Sequence, residues 1–582
     1  MNRKISIYQT LPRLFGNKNK NPRLNGTIQE NGVGKFDDYN QKALLEIRDL
    51  GITHIWFTGI PEHGTMTDYS EFGIPKDHPT LLKGRAGSPY AIKDYYDVDP
   101  DLANNVKNRM EEFEALVKRT HETGLKVIID IVANHVFRQY KSDCSPKGIR
   151  DFGKDDDPSK LFDPKNNFYY LPGSTFELPD GIAWLDQIKA EIPSMPYIEK
   201  PARATGNDVF TSKPSNDDWY ETIKLNYGVD FQGNKQRHFE PVPDTWTKML
   251  DVLLFWAKKG VDGFRCDMAE MVPVEFWAWV IKAVKKKFPQ VIFIAEVYNP
   301  LEYHNFVKNG GFDYLYDKVG LYDTLKSIII SGTSTAAISN CWKMLEGLDA
   351  QMLRFLENHD EVRFASGAFA GDPFAAIPAL TLCAAMHRGP VMIYSGQEVG
   401  EPAAGESGFS GDDGRTTIYD YFNIPEMQKW INHGKLDGGL LSKEQVRLRQ
   451  MYQKILNFSI RHDAIVNGEF YDLMWANPYE SLPFRDKVYI WLRHSPKQKL
   501  LFVVNFDRNQ RLAIKVKISD HALNEMGWYR CNEFEANELL WNTQKLMFSR
   551  TEAHNQGLAI ELKPNDALIF EISPKDCNCE QH

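Results

Sequence analysis

Charged and polar residues follow four apolar segments of the chain, at the points where β-strands would end. These ends are Asp130–His135, Gly263–Asp267, Ile294–Val297 and Glu357–Asp360. A single acidic residue after an apolar strand is usually a helix cap or a group that solvates a loop. Four such ends in one chain indicate a cluster of carboxylates that could do chemistry.

Two carboxylates in different protonation states would suit nucleophilic and acid–base catalysis. Arg265 and Asp267 are two residues apart on a predicted strand, so the guanidinium can donate to the carboxylate and keep it ionised, as a nucleophile must be. Glu296 follows the apolar run VIFIA, where burial and nearby negative charge would keep it protonated as a proton donor. Such a pair, roughly 5 Å apart, is typical of a retaining glycosidase. Asp360 would add a third charge that stabilises an oxocarbenium-like transition state.

Histidines at two of these ends leave two interpretations open. His135 and His359 could donate hydrogen bonds to sugar hydroxyls, or they could be structural. A metal-hydrolase site would instead predict H-x-H or H-x-x-x-H spacing, and neither occurs at the strand ends. Near the C-terminus, Cys577 and Cys579 form a C-x-C pair, which we interpret as part of a frayed tail and not as a metal site.

Nucleotide cofactors are not predicted. Gly32 and Gly34 form a G-x-G without the third glycine of a dinucleotide fingerprint, and Phe36 stands where a phosphate-binding loop would carry Ser or Thr. We therefore expect no organic cofactor.

The first half of the chain repeats one unit: an amphipathic helical segment, a terminating glycine and a short apolar run. Glycine can adopt the left-handed conformation that ends a helix, and the runs are too short and too uniformly apolar for one-sided strands. A fourth helix is predicted to begin at Pro273. Helices that alternate with buried strands predict a parallel α/β sheet. The three helices with terminal glycines are Lys42–Leu50 before Gly51, Met110–Thr123 before Gly124 and Trp246–Lys259 before Gly260.

Eight strand candidates spread over some 400 residues favour a (β/α)8 TIM barrel over a doubly wound sheet. The candidates are Ile5–Leu11, Ile52–Phe57, Leu125–Val132, Val261–Asp267, Val291–Val297, Phe312–Tyr316, Met352–Glu357 and Val391–Tyr394.

Two regions interrupt this alternation and predict further domains. We assign residues 1–135 and 241–465 to the catalytic barrel, and residues 136–240 to a small domain inserted after the third strand. Residues 466–582 contain alternating apolar and polar segments, which predict an antiparallel β-sandwich. Aromatic residues of the insert could be sugar-stacking platforms or its core; they are Phe168, Tyr169, Tyr170, Trp219 and Tyr220.

The composition excludes several classes of partner. The 582 residues carry a net charge of −9, which offers no basic surface for nucleic acid or an anionic membrane. The most apolar long stretch, Phe374–Met386, contains Pro378 and is shorter than the roughly 20 residues that span a bilayer. The N-terminus lacks the apolar core and cleavage site of a signal peptide, so we expect a cytoplasmic protein, with secretion open if the N-terminus was trimmed.

The four strand-end segments, in this order, resemble the motifs of the α-amylase family, glycoside hydrolase family 13, and suggest an intracellular α-amylase-like member. The resemblance extends to Ser88–Pro100 after the second strand, Leu225–Asp230 in the insert and Ile393–Pro402 after the eighth strand. It implies a barrel with an inserted domain and a C-terminal β-domain. It also implies a retaining double displacement on α-glucosidic bonds of starch-type oligosaccharides or maltodextrins.

By motif position, Asp267 resembles the family's nucleophile, Glu296 its acid/base and Asp360 its transition-state stabiliser. Asp130 resembles a structural member of its motif. The residues that resemble those holding the glucosyl unit in the first donor subsite are Tyr90, His135, Arg265 and His359.

Two features leave the acceptor and the metal open. Many α-amylases continue the nucleophile motif with Lys-His, where this chain has Glu270 and Met271, so the bond type and acceptor preference are in doubt. Several members bind a structural calcium through the Asn that matches Asn134. Calcium at Asn134 is therefore an open expectation.

Three alternatives to a hydrolase share these motifs. An α-glucanotransferase or a sugar isomerase of the same family could use the same residues. A non-catalytic binding relative is disfavoured because all three catalytic carboxylates are present.

Overall fold

Eight parallel strands close into a barrel in the computed structural model, which describes residues 4–576. Each strand pairs with its neighbours in sequence, and the first pairs with the eighth. All eight predicted strands are confirmed, and so is the predicted barrel. Cys577 and Cys579 lie outside the described residues. The strands, first to eighth, are Ser6–Thr10, His54–Phe57, Lys126–Val132, Gly263–Asp267, Ile292–Ala295, Tyr314–Tyr316, Met352–Phe355 and Val391–Tyr394.

Helices connect the strands on the outside of the barrel and follow the predicted pattern. Gly51, Gly124 and Gly260, which end the first three helices, have φ angles of +104°, +83° and +91°. These left-handed conformations favour glycine. The fifth connection has only a 3-10 turn at Pro300–Glu302 and a π-helical turn at Asn305–Asn309. The main α-helices are Gln41–Asp49, Arg109–Glu122, Asp244–Lys258, Val274–Lys287, Asp323–Ser331, Ala337–Met344, Ala376–Ala385, Pro425–Ile431 and Lys443–Arg461.

The apolar faces of these helices form the core. In Val274–Lys287, Trp277, Val280, Ile281 and Val284 are buried on one face, as their spacing predicts. The helix Ala376–Ala385 is buried at every residue, which explains its almost entirely apolar sequence; the hydroxyl of Thr381 donates to the carbonyl oxygen of Ile377. Within residues 4–576, no helix is both long and apolar enough to cross a membrane.

The chain between the third strand and the helix Asp244–Lys258 forms a small, loop-rich insert. Its strand Thr222–Lys224 pairs antiparallel with His135–Phe137, directly after the third barrel strand. A second apolar cluster, which includes Phe137, Trp184 and Tyr220, lies under this region. The other short elements are the strands Tyr170–Leu171, Ala202–Arg203, Val229–Asp230 and Gln236–Arg237 and the helix Ala183–Gln187.

The C-terminal region is antiparallel β-structure. Six strands form one sheet, and Leu512–Val516 pairs with Leu558–Leu562 in a separate two-stranded sheet. Its buried side chains belong to the same apolar cluster as those of the barrel. In spatial order, the six strands are Glu469–Asp472, Val488–His494, Lys499–Asn505, Ala567–Pro574, Glu533–Glu538 and Lys545–Ser549.

Candidate active site

The carboxyl ends of the barrel strands bring two of the three predicted catalytic residues, Asp267 and Glu296, together around one arginine. Arg265 in the fourth strand is fully buried, and its Nη1 lies 2.8 Å from Asp267 Oδ1 and 3.3 Å from Asp130 Oδ1. Its Nη2 lies 2.8 Å from Glu296 Oε2. Its Nε donates to the Tyr316 hydroxyl at 3.2 Å. One guanidinium therefore fixes the carboxylates of three neighbouring strand ends.

This sharing changes the expectation for Asp267. The predicted contact with Arg265 is present, but three carboxylates compete for one cation. Burial raises the pKa of Asp267 well above its usual range, while Arg265 opposes the shift. Burial likewise raises the pKa of Asp130 to about 6. A dry cluster with more acids than bases favours retention of a proton, and general acid catalysis needs such a proton.

Glu296 follows the fifth strand and is held at both carboxylate oxygens. The backbone N–H of Met268 donates to Oε2 at 2.8 Å, and the Tyr298 hydroxyl donates to Oε1 at 2.6 Å. Met268 directly follows Asp267 and has a left-handed φ of +43°. A left-handed backbone at a residue other than glycine is strained, and such strain occurs often at functional sites.

A chain of hydrogen bonds connects His359 to Asp130. Gln9 Nε2 donates to His359 Nδ1 at 2.7 Å, which leaves the proton on His359 Nε2, next to the Tyr90 hydroxyl. The Tyr90 hydroxyl donates to Asp130 Oδ1 at 3.4 Å. Burial lowers the pKa of His359 to about 3, so the ring is neutral at physiological pH and donates through Nε2.

Asp360 lies at the solvent side of this group. Its Oδ2 is 3.1 Å from His359 Nε2, and its side chain is 44% exposed, compared with 4% for Glu296. The site therefore opens to solvent beside Asp360, while the other acids are covered.

A glycine lets Tyr90 reach this position. Gly87 has φ +70°, and a Cβ there would lie 1.7 Å from the carbonyl oxygen of Gly64. Only glycine fits this close approach of two backbones. Three residues later, the Tyr90 ring stacks on His359 at 5.1 Å between centroids.

His135 lies at the junction of the barrel and the insert. Its ring packs against Trp219 at 5.1 Å between centroids. Burial lowers the pKa of His135 to about 3, so it is neutral. Of the insert aromatics, Phe168, Tyr169, Tyr170 and Tyr220 are buried as core residues, whereas Trp219 is half-buried and presents part of its ring.

The expected calcium does not fit at Asn134. The Asn134 side-chain oxygen accepts a short hydrogen bond from Lys224 Nζ, which lies 2.7 Å from Asp208 Oδ1 and donates to the carbonyl oxygen of Met271 at 3.2 Å. The Lys224 side chain is only 2% exposed. Calcium prefers six to eight oxygen ligands, and here a buried ammonium already faces the available oxygens. No group of three or more His, Cys, Asp or Glu side chains within residues 4–576 could hold a metal.

Several residues of the site were not predicted from the sequence. Gln9, Trp56 and Tyr316 line the barrel interior, and Trp56 Nε1 donates to Asp130 Oδ2 at 2.8 Å. The signal for Gln9 is a polar residue inside the apolar first strand. Tyr298 and Lys224 carry no comparable signal, because Tyr and Lys are common in loops and at strand ends.

A family model described as "Alpha amylase, catalytic domain" matches residues 12–419. The α-1,4-glucan:maltose-1-phosphate maltosyltransferase of Cereibacter sphaeroides is 26% identical over 295 residues. That match covers 50% of this chain and 32% of the relative, so the chain aligns with about a third of that protein. Alpha-amylase 3 of Dictyoglomus thermophilum is 24% identical over 410 residues, which cover 65% of this chain and 68% of the relative.

A solved structure has the same fold. The α-amylase of Geobacillus thermoleovorans, crystallised with acarbose, is 20% identical and superposes with a TM-score of 0.61 over 98% of each chain. At this identity the likeness concerns the fold alone.

Proposed function

Because the chain belongs to the α-amylase family, we propose that it is a retaining glycoside hydrolase that cleaves α-glucosidic bonds of starch-type oligosaccharides or maltodextrins. One observation carries the proposal: a single buried guanidinium, that of Arg265, contacts both Asp267 and Glu296. A nucleophile and an acid/base held on neighbouring strands are what a double displacement requires.

In the first step, Asp267 reacts in its ionised form while the proton that the carboxylate cluster retains is on Glu296, and a carboxylate oxygen of Asp267 attacks the anomeric carbon of the sugar. The bond from that carbon to the glycosidic oxygen breaks, and Glu296 transfers its proton to the leaving oxygen. The product is a covalent glycosyl ester on Asp267 together with a free sugar hydroxyl. Asp360 stands at the mouth of the site, where its charge stabilises the oxocarbenium-like transition state.

In the second step, Glu296 takes a proton from water, whose oxygen attacks the same carbon and breaks the ester. Asp267 returns as a carboxylate and Glu296 as an acid. The two inversions together retain the anomeric configuration. The protons of His359 Nε2 and of the Tyr90 hydroxyl already lie in the hydrogen-bond chain to Asp130, so a sugar hydroxyl would replace one of these contacts.

Two variants and one product analysis test the proposal. Asp267→Asn and Glu296→Gln should each lower kcat on maltoheptaose by at least about a thousandfold while the unfolding temperature stays near that of the wild type. Proton NMR in the first minutes of wild-type turnover should show the α-anomer. Near-normal turnover in either variant, or initial β-anomer, would overturn the assignment.

A glucanotransferase is the second candidate, and the resemblance to a maltosyltransferase favours it. A sugar hydroxyl would then replace water in the second step. Product analysis of maltoheptaose at high acceptor concentration separates the two. Longer oligosaccharides that accumulate early indicate transfer, and shorter ones alone indicate hydrolysis.

A second part of the proposal concerns Lys224, whose ammonium lies beside the loop that follows Asp267. We infer that the ammonium of Lys224 takes the place expected for a structural calcium at Asn134, since it faces Asn134, Asp208 and the carbonyl of Met271. Lys224 would then join the insert to the loop after Asp267 without a metal.

A further inference from the structure

The two carboxylate oxygens of Glu296 have different surroundings. Oε2 accepts a hydrogen bond from the backbone N–H of Met268 at 2.8 Å and forms an ion pair with Arg265 Nη2, also at 2.8 Å, and neither of these groups can accept a hydrogen bond. Oε1 faces the hydroxyl of Tyr298 at 2.6 Å, and a hydroxyl can both donate and accept. The transferable proton therefore belongs on Oε1, beside Tyr298.

Tyr298 is suited to act as a donor to this oxygen. Burial and the neighbouring charge of Glu296 raise its pKa well above the usual value, so the hydroxyl keeps its proton at any working pH. When Glu296 gives up its own proton, Oε1 gains charge and the hydrogen bond from Tyr298 strengthens. A hydrogen bond that strengthens as charge develops on Glu296 stabilises the transition state of proton transfer more than the enzyme–substrate complex, and it therefore lowers the activation barrier.

A second carboxylate fixes the backbone of Tyr298. Glu270 Oε2 accepts from the backbone N–H groups of Tyr298 and Asn299, each at 3.1 Å. The Asn299 side chain then caps the turn Pro300–Glu302 through the N–H of Leu301. Glu270 stands in the motif position whose departure from Lys-His left the acceptor in doubt. Here its carboxylate points to the loop of the acid/base.

We propose that Tyr298 is a positioning residue that orients and electrostatically supports Glu296 during proton transfer, and that Glu270 holds Tyr298 in place. The inference rests on the proposed function. It accounts for the departure at Glu270, because a lysine there could not accept two backbone hydrogen bonds.

The test compares two substrates whose leaving groups differ in how much they need protonation by a general acid. The leaving sugar of maltoheptaose must be protonated, whereas fluoride departs from α-maltosyl fluoride with little protonation. In Tyr298→Phe, kcat/KM on maltoheptaose should fall by about tenfold to a hundredfold, the range for a lost hydrogen bond to a charged group. On the fluoride it should fall by less than about threefold. The alkaline limb of the pH profile should move to higher pH, because the ionised carboxylate loses a donor.

Two variants of Glu270 test whether its carboxylate holds the backbone of Tyr298 in place. Glu270→Gln keeps a carbonyl oxygen that can accept both backbone hydrogen bonds, so it should retain wild-type kcat/KM on maltoheptaose. Glu270→Ala removes the acceptor and should reproduce the substrate-selective loss of Tyr298→Phe. Equal losses in the Gln and Ala variants would overturn the role of Glu270.

Tyr303→Phe is the matched control. Tyr303 is buried nearby, and its hydroxyl has no hydrogen-bond partner within residues 4–576. It should lose no activity on either substrate. A Tyr298→Phe variant that equals this control, or that loses activity equally on both substrates, overturns the inference. Glu296→Gln run in parallel separates the failures: if it keeps wild-type kcat/KM on maltoheptaose, the proposed function itself is wrong.

Discussion

Lys224 offers the sharpest test of how the insert is held to the nucleophile loop. Lys224→Met keeps most of the side-chain volume but removes the ammonium. Asn134 Oδ1 and the carbonyl oxygen of Met271 then lose their hydrogen-bond donor, and Asp208 loses its ion pair. The ammonium also lies 5.5 Å from the centroid of the Phe231 ring, so the variant removes this cation–π contact as well.

The size of the effect follows from the burial of each partner. Asn134 is fully buried, and a buried acceptor without a donor costs about 1–3 kcal/mol. Asp208 is 31% exposed, so water replaces much of its lost interaction. The variant also avoids the cost of burying an ammonium, which is large enough to lower the pKa of Lys224. We expect the free energy of unfolding of the insert and its contact with the barrel to fall by about 2–4 kcal/mol.

Thermal unfolding followed by tryptophan fluorescence measures this loss, and kcat on maltoheptaose measures its catalytic consequence. Lys248→Met is a matched control, because Lys248 is equally buried and contacts Asp244, Asn167 and the carbonyl of Asp151. Both variants should unfold at lower temperature. Only Lys224→Met should lower kcat, because only Lys224 contacts the loop after the nucleophile.

Two results would refute this reasoning. If the two variants lowered kcat equally, the contact with Met271 would have no catalytic role. If EDTA lowered the unfolding temperature of the wild-type protein and calcium restored it, a metal and not the ammonium would hold this junction.

Two further predictions concern pH and substrate affinity. Glu62 is 2% exposed and its pKa is raised from 4.5 to about 9 by burial, so the folded state keeps a proton that the unfolded chain releases. The free energy of unfolding should therefore fall as pH rises from about 5 to 9. The unfolding temperature of Glu62→Gln, measured relative to that of the wild type, should rise across this range. A difference between the two unfolding temperatures that does not change with pH would contradict this. Trp219→Ala removes the half-buried ring against His135 and should raise KM for maltoheptaose about threefold to tenfold with kcat unchanged. An unchanged KM would assign Trp219 to packing alone.

The barrel could be predicted from the sequence because its signals are local. A glycine that ends a helix, as at Gly124, and an apolar run of strand length are each contained within a few residues. The strands Val391–Tyr394 and Met352–Phe355 lie where these signals place them. The connection between the fifth and sixth strands is harder to predict from the sequence, because its 3-10 and π-helical turns depend on packing and not on a periodic pattern.

The position of the acidic residues at strand ends could also be predicted, because it is a property of chain order; their catalytic roles remain a prediction. Arg265 and Asp267 share a strand face by spacing alone, and the structure shows the contact. Their charge state could not be predicted in the same way. It depends on how many carboxylates share the guanidinium, and Asp130 and Glu296 reach it from other strands.

Glu270 and Met271 depart from the usual motif, and the contacts that they make are visible only in the structure. The sequence marks both positions as unusual but does not indicate what replaces the usual contacts. In the structure, the Glu270 carboxylate binds the loop that carries Tyr298, and the Met271 carbonyl accepts from Lys224. The first contact reaches the loop of the proposed acid/base Glu296 and the second reaches the insert, and both begin within four residues of the proposed nucleophile Asp267. The two unusual positions are therefore not idle, because the Glu270 side chain and the Met271 backbone each connect the loop after Asp267 to a segment distant in the sequence.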